Sequence, residues 1–212
     1  MIVAEDDDNI FTPHEQLICA NSEFFKAACS EEWRKDQARV VRLPAPTRPE
    51  HFQHYLDWLY SQRTINVNAC LMASLQDMEV PSEDNIREIQ LLDELVDLWI
   101  LGDFLLDLAF KNQVINSLLS QWLPRSRLMP MSTIRKVIMG TPQGCGIYRW
   151  TLRNIAALAN VVTLREMKTW LPVEVHFELL ERVVELRIAH VTKTLPTLSQ
   201  REDYYDKATE TH

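Results

Sequence analysis

Four glycines in 212 residues, at positions 102, 140, 144 and 146, constrain this chain more than any other feature. Sandwiches and barrels turn often, and their tight turns call for residues that accept positive φ, glycine first. With glycine this sparse the chain reads as mainly helical with a few short strands. Its length is ample for a sizeable core. At 46% hydrophobic and 25% charged residues it has the composition of a soluble globular protein.

Periodicity places the elements. In "RPEHFQHYLDWLYS" Phe52, Tyr55, Leu56, Leu59 and Tyr60 fall at i, i+3, i+4, i+7 and i+8, with Pro49 at the helix start. Before it, "MIVA" and "NIFT" flank the turn formers "EDDDN" and predict a hairpin. Two short helices follow, the first started by Pro13, with Leu17 and Ile18 facing inward. The second is capped by Ser22, with Phe24 and Phe25 behind it. "ARVVRLP" is a strand with Val41 and Leu43 on one face. "TINVN" is a candidate strand and residues 68–85 a loop. From Ile86 to about Leu123 two helices are expected, joined near Gly102-Asp103, the first showing Ile89, Leu92, Leu95, Val96 and Trp99 on one face. After the proline-bounded linker "WLPRSRLMP", Ile155, Leu158, Ala159 and Val162 recur at helical spacing. So do Val173, Phe177, Leu180, Val184 and Ile188. Residues 193–212 are polar and non-periodic and are expected to be disordered.

Charge and cysteine narrow the function classes. Net charge is −8, and Arg125-Ser126-Arg127 is the longest basic cluster. This opposes binding to nucleic acid or to an anionic membrane surface. No run approaches the ~20 apolar residues of a membrane span. Cys19, Cys29, Cys70 and Cys145 are scattered, without a CxxC pair or a signal peptide. An intracellular location is expected, cytoplasmic or nuclear.

The catalytic and metal motifs fall away on inspection. His14-Glu15 opens an HExxH pattern that ends on Ile18 instead of histidine. His51 and His54 lie one helical turn apart with no third ligand nearby, and are expected as partly exposed surface histidines. Cys19 and Cys29 read as small hydrophobes. "QGCG" lacks the spacing of a phosphate loop, and no GxSxG elbow exists. Neither a cofactor nor a catalytic constellation is indicated.

The order of elements and three blocks of residues resemble the BTB/POZ family, in the style of fungal single-domain members with a C-terminal helical extension. "IFTPHEQLICANSEFFKAACSEEW" resembles the family signature, with Phe11, His14, Leu17, Ser22, Phe24 and Phe25 at its positions. "RVVRLPAPTRPEHFQHYLDWLYS" resembles the strand and helix that follow, and "LWILGDFLLDLAFKNQVINSLL" the last helical pair. Thr141-Pro142-Gln143-Gly144 is similar to a loop of the fungal proteins' helical tail. The resemblance implies an α+β, mainly helical fold: a small three-stranded sheet with helices in residues 1–123, a helical extension over 124–192 and a disordered tail over 193–212. It implies that His14 and Ser22 tie a helical turn to the backbone while the phenylalanines fill the core.

It also implies a binding module and not an enzyme, one that self-associates as a scaffold or adaptor and has other proteins as partners. The segment before the first strand, which many members exchange in dimers, is expected to be missing, so a weak homodimer held by helices around residues 14–20 is expected. The alternative within the family is a substrate adaptor for a cullin-type ubiquitin ligase. From another class, a small helical enzyme with a site assembled from distant residues would be revealed by a cofactor or metal that raises the melting temperature.

In cullin-binding members a hydrophobic-x-Glu motif commonly precedes the third strand. Here the matching residues are Trp33, Arg34 and Lys35, followed by Asp36. Trp33 supplies the apolar anchor, but Lys35 puts a positive charge where the pattern has a carboxylate, and a like-charge contact costs several kcal/mol. In a pull-down with a cullin N-terminal domain the unaltered chain is expected to bind weakly or not at all, and Lys35→Glu to gain binding. Strong capture of the unaltered chain would remove the argument.

Overall fold

The computed structural model describes residues 2–3, 10–29, 41–43, 48–61, 83–122, 127–191 and 203–207. Helices dominate it. The elements are β1 (Ile2–Val3), β2 (Ile10–Phe11), α1 (Glu15–Asn21), α2 (Glu23–Ala28), β3 (Val41–Arg42), α3 (Pro49–Ser61), α4 (Glu83–Phe104), α5 (Leu108–Trp122), α6 (Met131–Gly140), α7 (Gly146–Leu158), α8 (Val161–Met167) and α9 (Val173–Val191). The chain divides into two compact units, one of residues up to Ser117 with those from Lys207 on, the other of Leu118–Asp206. The division falls inside α5.

In the first unit a three-stranded sheet has the order β2-β1-β3. β1 and β2 pair antiparallel, Ile2 opposite Phe11, and β3 joins β1 in parallel, Ile2 opposite Val41. The candidate strand "TINVN" lies outside the described residues. Leu43 is buried, Val41 half-buried and Arg42 exposed, as the alternation of a strand requires. α3 buries Phe52, Tyr55, Leu56 and Leu59, and α4 buries Leu92, Leu95, Val96 and Trp99. Ile89, on the same stripe of α4, is 37% exposed. Tyr60, at the end of the α3 stripe, is half exposed and uses its hydroxyl elsewhere.

The join between α4 and α5 is tight. Leu106 takes φ 53°, a left-handed residue closing α4, and Asp107 N–H donates to Gly102 O at 3.0 Å. A Cβ on Gly102 would stand 2.9 Å from Phe110 Cδ1 and 3.0 Å from Lys111 Cγ, so the absence of a side chain is what lets the turn close. Asp107 then caps α5, accepting from Phe110 N–H at 2.9 Å.

The second unit is built on α7. Its Ile147, Tyr148, Trp150, Leu152 and Ile155 are buried, as are Ile134 and Val137 of α6 and Val175 of α9. Asn154 ties the preceding strap to α7, accepting from Met129 N–H at 2.9 Å. The helical spacing from Ile155 to Val162 does not make one helix. Asn160 breaks it, its side chain accepting from Thr163 N–H at 2.9 Å to start α8. Nor does the expected disorder extend through the described tail residues 203–207. Asp206 accepts from Gly146 N–H at the α7 N-terminus at 2.7 Å, Arg149 donates to Asp203 O at 2.9 Å, and Tyr204 is 7% exposed. A carboxylate on a helix N-terminus and a buried ring outweigh the polar composition that suggested disorder.

The five residues read from periodicity as core, Phe25, Leu56, Leu59, Trp99 and Leu118, are all buried. Leu59→Ala is expected to cost about 2–5 kcal/mol in urea unfolding, the range for truncating a buried leucine. A loss below about 1 kcal/mol would show that Leu59 contributes little to the core.

Candidate partner-binding surface

The α1–α2 turn gathers the residues of the N-terminal signature. Ser22 ends α1 and caps α2. Its Oγ accepts from Phe25 N–H at 3.2 Å and donates to Leu105 O at 2.5 Å, across 83 residues of chain. Phe24 N–H points at the same carbonyl, 3.4 Å away. Leu105 O is open to these donors because the left-handed Leu106 ends α4 there. Phe25 is wholly buried and Phe24 half-buried, its ring 4.6 Å from that of Phe104. Phe11 meets Phe52 edge-on at 5.1 Å, and Phe25 stands 6.1 Å from the same ring. Leu17 is half-buried beside the buried Ile18.

His14 behaves differently from expectation. It is exposed, and its side chain is tied not to backbone but to the hydroxyl of Tyr60 at the end of α3, Nδ1 to Oη at 2.7 Å. The same hydroxyl oxygen accepts from His14 backbone N–H at 2.9 Å. The two bonds are compatible when Tyr60 O–H donates to an unprotonated Nδ1, which places the ring proton on Nε2. His14 O in turn accepts from Leu17 and Ile18 N–H and opens α1, so the helix starts at Glu15 and not at Pro13. His14 and Ser22 thus anchor the two ends of α1 to different helices.

What α1 leaves in solvent is its outer face. Glu15, Gln16 and Ala20 are exposed, and an open groove of about 510 Å³ runs between Glu15, Gln16, Cys19, Lys26 and Cys29. Cys19 and Cys29 are half-buried on its wall and in no disulfide, and Cys19 Sγ donates to Phe25 O at 3.5 Å. Trp33, Lys35 and Asp36 lie outside the described residues.

The buried ionisable groups pair across elements. His51 is 3% exposed, contrary to the surface position expected for it. It stands one turn before Tyr55 and therefore on the same side of α3. Its Nε2 donates to Glu94 Oε2 of α4 at 2.8 Å, and Arg48 donates to the other oxygen. Burial works against the ionised Glu94, but the hydrogen bonds from His51 and Arg48 outweigh it and hold the carboxyl down to about 2. His54 is half-buried, and burial lowers its pKa.

A second pair joins Tyr55 and Asp107, both fully buried, with Tyr55 O–H donating to Asp107 Oδ2 at 3.0 Å. Desolvation raises the pKa values of both. Asp107 was missed by the sequence reading, which placed the join of the two helices near Gly102-Asp103. Glu94 carried no signal at all. Each of these groups locks one helix to another. Among the described residues no group of three His, Cys, Asp or Glu side chains is placed to hold a metal ion.

Comparison with family models, with curated proteins and with solved structures finds no match.

The Glu94 cluster makes stability depend on acid. Its carboxyl titrates lower in the folded chain than its ordinary 4.5, so its stabilisation is complete above about 4.5 and is lost as pH falls towards 2. Glu94→Gln is expected to lower unfolding free energy at pH 7 by about 1–2 kcal/mol, discounted for the half-exposed Arg48. The deficit should vanish near the acid end of that window. Urea unfolding across the range checks it, and a deficit that persists unchanged at the acid end would reject the assignment.

Proposed function

We propose that this chain is a protein-interaction module of the BTB/POZ type, acting as a self-associating scaffold or adaptor. The observation that carries the reading is the use made of the signature residues. Phe11, His14, Ser22, Phe24 and Phe25 come together to hold the α1–α2 turn against α3 and the end of α4, while the outer face of α1 is left to solvent. A hairpin joined by a parallel third strand that precedes α3 accords with the same resemblance. Among the described residues His14, Ser22, His51, Tyr55, Glu94 and Asp107 tie elements together, which supports this reading. Other proteins are the partners this reading assigns. Cullin recruitment is the second reading, favoured by Trp33 as an apolar anchor and opposed by the charge of Lys35. No described helix is long and apolar enough to cross a membrane.

Self-association tests the reading. Sedimentation velocity over a dilution series is expected to show a weak dimer that dissociates from micromolar towards nanomolar concentration. Ala20→Arg, on the exposed face of α1, should shift it to monomer without changing the melting temperature. A chain that stays monomeric at every concentration, or a dimer indifferent to Ala20→Arg, would count against it.

A further inference from the structure

α9 has two apolar faces, and one of them is in solvent. Val175 is 1% and Leu179 8% exposed, and they bury the inner face. On the opposite side Val173, Phe177, Leu180, Val184 and Ile188 are 67%, 67%, 61%, 53% and 62% exposed. At 100° per residue these five positions fall within a narrow stripe, and at 1.5 Å per residue it runs for about 22 Å. Scattered apolar residues on a surface need no explanation, but a continuous stripe at 4-3-4-4 spacing has the geometry of a helix-pairing seam.

The edges of the stripe say what it fits. Glu174, Glu181 and Glu185 are exposed along one edge, with Glu185 shared with Arg182 at 2.7 Å. The other edge carries the half-buried His176 and Val183 and the exposed Arg187. A second copy is a poor match. An antiparallel pair sets each acidic edge against its twin, on a chain whose net charge is already −8. A parallel pair offers Glu181 only His176 and leaves Glu174 facing the stretch before the partner helix begins. The acidic edge also opposes insertion into an anionic membrane surface.

We propose that the outer face of α9 docks an amphipathic helix of about four turns from another protein, with an apolar stripe and lysine or arginine along the edge that meets Glu174 and Glu181. This deepens the reading of the chain as an interaction module and rests on it, but it uses a surface separate from α1. Burying one such stripe against a partner hides on the order of 1,000 Å² in total, the lower end for a specific interface, so the binding is reversible.

The test uses the full chain and two labelled probe peptides of about three heptads, with leucine at the seam positions and either lysine or glutamate at both edges. Like charges along each probe keep it from pairing with itself. In fluorescence anisotropy the lysine probe should bind about tenfold or more tightly than the glutamate probe. Leu180→Asp should weaken it at least tenfold with the melting temperature unchanged, since Leu180 is exposed. The double change Glu174→Lys and Glu181→Lys should reverse the preference between probes. Failure of the lysine probe to bind, or binding indifferent to Leu180→Asp, would overturn the proposal. So would a dimer, or binding to lipid vesicles, that Leu180→Asp abolishes. If the probe fails while a dimer sensitive to Ala20→Arg persists, the α9 inference falls and the module reading stands.

Discussion

The Ser22 hydroxyl holds together what would otherwise be three loose ends. α1 stops there, α2 starts there, and the carbonyl of Leu105, just past the end of α4, accepts a hydrogen bond from it. A helix end exposes unpaired backbone groups, and when it is buried each needs a partner. Ser22 supplies one to Phe25 N–H and one to Leu105 O, so a single buried hydroxyl satisfies two termini that lie 83 residues apart. The Gly102–Phe110 close approach and the left-handed Leu106 are what bring Leu105 O to that position. Remove the hydroxyl and Phe25 N–H loses its side-chain cap while Leu105 O keeps only the long contact from Phe24 N–H at 3.4 Å, which costs more than an ordinary surface hydrogen bond.

Around this junction the ionisable groups are distributed as ties. Tyr55 and Asp107 join α3 to the α5 cap, and His51, Arg48 and Glu94 join the α3 end to α4. Buried polar pairs of this kind are costly unless each partner is satisfied, and they oppose sliding of one helix along another. α3 is fixed at three points along its length, by Arg48 and His51 near its start, Tyr55 in its middle and Tyr60 at its end. Tyr60 in turn holds His14 at the start of α1.

The second unit makes the complementary use of its helix. α9 is apolar on the side that packs and apolar again on the side that does not. A hydrophobic pattern distributed all round a helix ordinarily means complete burial. Here the outer stripe stays in solvent, bordered on one edge by the exposed Glu174, Glu181 and Glu185.

Much of this was written locally. Sparse glycine set the helical character, the 52–60 periodicity set α3, and Ser22 before two phenylalanines announced a cap, because these are short-range effects of side-chain spacing and backbone bonding. The tail residues near Tyr204, the buried state of His51 and the break at Asn160 were not legible, since each depends on a partner or a competing cap that periodicity does not weigh. The same limit applies to α9. Its five-residue stripe is visible in the sequence, but an apolar stripe records only that a face is hydrophobic. Which of two such faces is buried was decided by α7, whose packing against Val175 and Leu179 left Phe177 and Leu180 outside.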